Sequence, residues 1–245
     1  MANYILFDTE TTGNQEQDRI IQLGALVVKS RNEIDVIDEM CRADVPISIE
    51  AMEVHGITPE KIRDKPPYRE TAFAQMIEKY NDAANYLIAH NIDFDRGMLE
   101  KEGFVSQYQQ IDTVRCARHL LPDLPHHRLQ YLRYALELYK SEQSEAETLG
   151  ITIKAHDAIG DVLILKLLFG RLIDEVRQQF PDDHPVEKLV ELTQTPVMIK
   201  SFKFGKYKGK SIEEIARTDR GYLEWMRNNL ELDEDMRFTL DAYIQ

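Results

Sequence analysis

Apolar residues fall first in short blocks and then at helical spacing, and the change of period lays out the elements. "NYILFD" (3–8) carries an unbroken run, Ile5, Leu6 and Phe7, which reads as a buried strand. "RIIQLGALVVKS" (19–30) reads as a second strand, and the weakly alternating "EIDVIDEMCRAD" (33–44) as a third. A β-meander is the economical arrangement. Segment 46–62 holds turn and cap signals: Pro46, Ser48, Gly56 and a helix start at Thr58-Pro59. Phe73, Met76, Ile77 and Tyr80 then mark a helix within 66–83, "NYLIAHN" (85–91) a short strand, and 93–104 a helix ending at Gly103. "QQIDTVRCARHLLPD" supplies another strand and helix, stopped by Pro122. An amphipathic helix is expected over 127–140, a polar loop over 141–150 and one long apolar-striped helix over 155–180. Strands followed by alternating helices and strands predict a layered α/β or α+β domain on a mixed sheet.

"PDDHP" (181–185) breaks both composition and period. It separates a domain over 1–180 from a linker over 181–195, which carries a short helix, and from a small α+β module over 196–245. That module opens with "KSFKFGKYKGK" (200–210), where Lys200, Lys203, Lys206, Lys208 and Lys210 interleave with Phe202, Phe204 and Tyr207. Gly205 and Gly209 suggest a tight hairpin. Lys203, Lys206 and Lys208 would neutralise phosphates while exposed aromatics stack on bases. The plainer reading is a solvated hairpin whose Phe residues are core for the helices that follow.

Composition narrows the classes. No run of eighteen apolar residues occurs in the 245, so neither a transmembrane helix nor a membrane partner is expected. "MANYILFDTE" lacks a basic n-region, so no signal peptide is expected. Cys41 and Cys116 show no metal-like spacing and read as reduced thiols of a cytoplasmic protein. A formal net charge of -13 argues against non-specific coating of nucleic acid, which makes the local lysine cluster more informative than the total.

The candidate chemistry lies in carboxylates. Asp8 and Glu10, one residue apart, project from the same strand face and repel each other unless a cation intervenes. Solvated strand-end acids are the ordinary alternative. Asp161 stands at the N-terminal end of the last long helix, in line with Leu168 and Leu172, and a carboxylate facing the core needs a cation or strong donors. Asp157, one turn earlier, reads as a helix N-cap. His156 precedes it in a loop that can reach the same pocket, although lone loop histidines are more often structural. Asp93 and Asp95 open the helix after His90-Asn91, where helix-terminal acids are ordinary. Taken together, these residues match a two-metal phosphoryl-transfer site with oxygen ligands suited to Mg²⁺ or Mn²⁺.

At "FDTETTG" (7–13), "HNIDFDRGML" (90–99) and "HDAIGD" (156–161) the chain resembles the DEDDh 3′–5′ exonucleases of the ribonuclease-H-like fold. "EAMEVHGIT" (50–58) further resembles a segment of polymerase proofreading subunits, and similarity to one branch of the family continues through the C-terminal module. The resemblance implies a ribonuclease-H-like mixed β-sheet flanked by helices. It makes Asp8, Glu10, Asp95 and Asp161 ligands of two Mg²⁺ or Mn²⁺ ions and His156 the general base. Thr9, Thr11, Ala51, His55 and Phe94 match positions that touch the terminal nucleotide, and Asp93 falls on a variable one. The implied activity is release of nucleoside 5′-monophosphates from DNA 3′ ends, in repair or proofreading. Alternatives are an RNA-directed exonuclease, a polymerase-held proofreading subunit, or a nucleic-acid-binding module without chemistry. Asn14 and Gln15, in the loop after the first motif, are further candidates for contact with terminal bases. Thr9, projecting away from the acids, is expected to meet nucleotide through its backbone.

Overall fold

Five strands form one mixed sheet in the order β3-β2-β1-β4-β5: β1 (Tyr4–Thr11), β2 (Ile20–Ser30), β3 (Glu33–Met40), β4 (Tyr86–Ala89) and β5 (Gln109–Asp112). They belong to a computed structural model that describes residues 2–30, 32–153 and 157–244. β1, β2 and β3 are antiparallel neighbours, the expected meander, whereas β4 runs parallel to β1 and β5 parallel to β4. Side chains alternate along β1 and so divide between two cores. Ile5 and Phe7 pack with Leu87 against Phe73 and Ile77 of α3 (Ala72–Lys79) and Met98 and Leu99 of α4 (Ile92–Lys101). Leu6 packs on the other face, with Ile88 and Ile111, against Ala117 of α5 (Thr113–Leu120) and Val162, Leu165 and Leu168 of α8 (Ala158–Gln179). The same alternation carries Asp8 and Glu10 toward α8 and Thr9 toward α4.

Between the meander and α3 lie α1 (Ile49–His55) and α2 (Pro59–Ile62). The Ser48 hydroxyl accepts from the Ala51 N–H at 3.1 Å and caps α1, and Gly56 at φ 65° ends it. The helix expected within 66–83 starts only at Ala72. A 3-10 turn at Tyr68–Glu70 precedes it, and the Thr71 hydroxyl caps it.

Three segments differ from the sequence expectation. The helix expected over 127–140 is two, α6 (Leu129–Ala135) and α7 (Tyr139–Leu149), separated by Glu137 at φ 57°. Residues 141–150, expected as a polar loop, therefore lie mostly in α7. Its inward position is taken by a charge: Glu142, 3% exposed, pairs with Arg133 through two hydrogen bonds of 2.8 Å. A buried ion pair erases the apolar period by which a helix is read. Residues 181–195, expected as a linker, hold α9 (Pro185–Gln194), whose Val186, Leu189 and Leu192 are buried in the α8-side core. Asp157 stands at the N-cap position of α8 but makes no side-chain cap; its Oδ1 accepts from Gln22 Nε2 at 2.6 Å.

Contacts divide the chain into two compact units, one up to Thr193 and one from Gln194. The second contains α10 (Ile212–Thr218), α11 (Arg220–Asn229) and α12 (Glu234–Ile244) around Phe202, Ile212, Leu223, Met226 and Leu240. The expected hairpin over 200–210 is a loop closed by a single bridge between Ser201 and Ser211. Phe202 is core, whereas Phe204 is exposed.

Candidate active site

β1 reaches past its parallel neighbour. β4 pairs with β1 only from Tyr4 to Leu6, which leaves the β1 backbone beyond Phe7 open on that side. Asp95, in the first turn of α4, fills the opening: its Oδ1 accepts from Thr9 N at 3.1 Å and from Thr9 Oγ1 at 2.7 Å, and the side chain is 4% exposed. Asp161 arrives from the opposite face in the first turn of α8. That approach depends on Gly24 of β2, which pairs with Asp8 across the ladder. A Cβ on Gly24 would stand 2.5 Å from the Ala158 carbonyl carbon and 2.6 Å from the Ile159 nitrogen. Only hydrogen at this position lets the start of α8 lie flat on the sheet beside the acids.

Convergence of the acids shows in their proton affinities. Burial, then Asp95, Glu10 and Asp161, hold the Asp8 carboxyl well above the usual carboxylate range. Glu10 is pushed up to about 8 by burial and by Asp161, Asp95 and Asp157. Asp95 rises to about 7 through burial, with the two Thr9 bonds pulling the other way. Asp157 Oδ2 is buried without a hydrogen-bond partner among the described residues. Buried hard oxygen donors held above their usual pKa, with one oxygen unpartnered, fit a divalent cation in their chemistry. Among the described residues, however, no three His, Cys, Asp or Glu side chains are already gathered as a metal cluster. Protein donors hold two of the acids instead, Asp95 on Thr9 and Asp161 on Gln130 Nε2 at 2.7 Å.

Beside the acids opens a cavity of about 780 Å³. Thr9, Glu10, Thr11, Ala51, His55 and Phe94 all line it, so the five positions matched to nucleotide contact share one space with one of the candidate acids. Asn14 and Gln15 lie on its rim. His55 is fixed: the Ile57 N–H donates to Nδ1 at 3.0 Å, so the proton is on Nε2, which donates to the Thr11 carbonyl at 3.1 Å. Burial keeps its pKa below the ordinary histidine value. Phe94 is 38% exposed at the cavity wall.

Asp93 is exposed and pairs with Arg96, away from the acids. His156 lies outside the described residues. Lys203, Lys206 and Lys208 are exposed in the second unit. Sequence reasoning passed over Gln22, Gln130 and Gly24. Strand alternation offered a signal for Gln22, which stands opposite Glu10 in the β1–β2 ladder. Gln130 had none, because its contact with Asp161 spans two helices.

The exonuclease family model of RNase T type matches residues 5–169, and an exodeoxyribonuclease X-like C-terminal model matches residues 202–231. Exodeoxyribonuclease 10 of Escherichia coli (strain K12) is 29% identical over 242 residues, 98% of each chain. The PolC-type DNA polymerase III of Bacillus cereus is 32% identical over 149 residues, 58% of this chain and 10% of that protein. Among solved structures, exonuclease X in complex with 5′ overhanging duplex DNA aligns with a TM-score of 0.55 at 24% identity, covering 79% of this chain and 99% of that one. E. coli exonuclease I in complex with a dA16 oligonucleotide aligns at 0.53 and 20%, covering 78% and 42%. These two share the fold of a mixed sheet flanked by helices. Exonucleases of this kind are divalent-metal dependent. With acids from β1, α4 and α8 converging at the head of the sheet, the chain belongs to the exonuclease family.

Proposed function

We propose that this exonuclease acts on DNA, removing nucleoside 5′-monophosphates from 3′ ends with two Mg²⁺ or Mn²⁺ ions. The observation that carries the reading is the convergence of Asp8, Glu10 and Asp95, each raised in pKa by burial and the first two also by the other acids of the candidate site, beside a cavity of about 780 Å³. Asp8, Glu10, Asp95 and Asp161 would hold the cations. When bound, such ions activate water and stabilise the departing 3′ oxygen. The chain's own part is placement. Thr9 orients Asp95, Gln130 orients Asp161, and His55 fixes the Thr11 carbonyl. The ring of Phe94 and the wall at Ala51 seat the terminal nucleotide. His156, two residues before α8, takes the proton of the attacking water; an unperturbed imidazole pKa of about 6.5 suits that task near neutrality. Relatives named as exodeoxyribonucleases, and solved relatives in complex with DNA, favour DNA over RNA. Similarity to a PolC-type polymerase supports repair or proofreading. No helix among the described residues is long and apolar enough to cross a membrane, and both cysteines are buried free thiols, which suits the reducing cytoplasm.

The test is incubation with 5′-labelled single-stranded and duplex DNA and RNA, with Mg²⁺ or with EDTA. A metal-dependent ladder on DNA, shortening from the 3′ end, is the expected result. Cleavage of RNA alone reassigns the substrate, and no cleavage of any substrate overturns the reading. His156→Ala is expected to keep metal binding while lowering turnover roughly 10²- to 10⁴-fold.

A further inference from the structure

The second unit carries an arrangement that its own folding does not use. The face of α11 that presents Leu223 and Met226 is buried in the core of that unit. Its other face presents Trp225, 50% exposed, with its ring stacked on Tyr222 at 5.9 Å and 26°. Tyr222 in turn meets Tyr207 edge-on at 5.0 Å, which joins the tryptophan, one ring removed, to the lysine loop.

That loop is pinned to α11. Tyr207 donates its hydroxyl proton to Asp219 Oδ2 at 2.6 Å, and Lys206 Nζ lies 3.1 Å from the same oxygen and 4.6 Å over the Tyr207 ring. Gly205, at φ 76°, passes so close to Tyr222 that a Cβ there would meet its hydroxyl at 2.6 Å. The turn therefore favours glycine for its backbone, and a larger residue there would also displace the Tyr222 hydroxyl. Thus held, the loop displays Phe204, 48% exposed, and three exposed lysines, Lys203, Lys208 and Lys210, that carry no ion pair among the described residues. From residue 200 to 210 there are five lysines and no acid.

A half-exposed indole on an aromatic support, joined through Tyr222 and Tyr207 to a loop with three unpaired lysines, is complementary to a polyanion whose bases are free to stack. In duplex DNA the bases are already stacked on one another, which selects a single strand. We infer that Trp225, carried on Tyr222 beside the lysine loop, is a base-stacking platform for single-stranded DNA. The inference rests on the exonuclease reading for its choice of nucleic acid.

Trp225 is the chain's only tryptophan, so its emission reports the platform directly. The full chain, in EDTA to prevent cleavage, is titrated with a fifteen-residue oligothymidylate, and tryptophan emission is followed together with anisotropy of a labelled strand. Quenching should saturate with the anisotropy. Trp225→Ala should weaken binding roughly 5- to 100-fold, while Trp225→Phe, which keeps a ring, stays within a few-fold of the native chain. An abasic strand of equal length should quench little and bind the native and Trp225→Ala chains alike. Replacing Lys203, Lys208 and Lys210 by Ala should flatten the plot of log K against log salt by about 2. Unchanged emission at saturation overturns the platform, as does native affinity in Trp225→Ala with an unchanged melt. Emission that shifts with protein concentration alone also overturns it and marks the face as a contact between copies. Hydrolysis with Mg²⁺ is read separately: cleavage without quenching overturns the platform alone, and quenching without cleavage overturns the exonuclease reading alone.

Discussion

Thr9 shows how a residue between two candidate metal-binding acids can serve the site from the far side of its strand. Its hydroxyl and its N–H both go to one oxygen of Asp95, which settles where that carboxylate sits before any cation arrives. The alternation that turns Thr9 away from Asp8 is the reason it meets α4, so the side chain that the sequence leaves idle is engaged. Thr9→Val keeps the shape and removes the hydroxyl. Loss of a partner that orients a ligand is expected to weaken Mn²⁺ binding by roughly 10- to 100-fold. Calorimetric titration reads this, and an affinity within twofold of native would sink the role. His90 makes a separate prediction. Its Nε2 donates to the His127 carbonyl at 2.8 Å, and Nδ1 lies 2.8 Å from the Thr113 hydroxyl. Burial lowers its pKa to about 4. A depressed histidine pKa means that the unfolded chain takes up the proton first as pH falls. The stability contributed by neutral His90 is therefore complete above about 6.5 and is lost progressively toward 4. Melting temperature should fall more steeply from pH 6.5 to 4.5 in the native chain than in His90→Gln; parallel curves would contradict this.

At the scale of elements, the site depends on how closely α8 crosses β2. Gly24→Ala sets a methyl against the backbone at Ala158, where no side-chain rotation relieves the clash. The start of α8 must lift, at a cost of roughly 1–3 kcal/mol. Asp161 lifts with it, so thermal stability and Mn²⁺ affinity should fall together; native affinity in a folded variant would show that α8 adjusts without moving its acid. The strands and α8 were legible because their burial is one-sided or continuous, and the acid pair was legible because strand alternation is strict. Glu142 made α7 unreadable, since a buried charge paired with Arg133 occupies the inward position. The sequence shows α9 as a helix but not its place in the domain, because its packing against the α8-side core is a non-local fact. Gly24 carries no sign in one sequence that its missing side chain is required, and Gln130 meets Asp161 only through tertiary folding.

For the whole molecule, charge is partitioned unevenly. From Gln194 onward nine Lys and Arg balance nine Asp and Glu, so the entire formal charge of -13 lies in the first unit, the one that holds the acids of the candidate site. A polyanionic strand meets net repulsion there except where bound cations neutralise the carboxylates. The five-lysine loop supplies its attraction from a unit that is neutral overall, and attraction of that kind weakens with salt as counterions are released and taken up. A chain ending at Thr195 retains α9 and both cores of the sheet unit. Such a chain should melt cooperatively and still hydrolyse DNA in a metal-dependent way. Its KM should rise roughly tenfold or more, as expected for losing several phosphate contacts, while kcat stays within a few-fold. Its KM should also depend less steeply on salt than that of the full chain. Steady-state kinetics on a single-stranded oligonucleotide at 50 and 200 mM salt measures all three, and an unchanged KM with an unchanged salt dependence would show that the lysine loop takes no part in holding the strand.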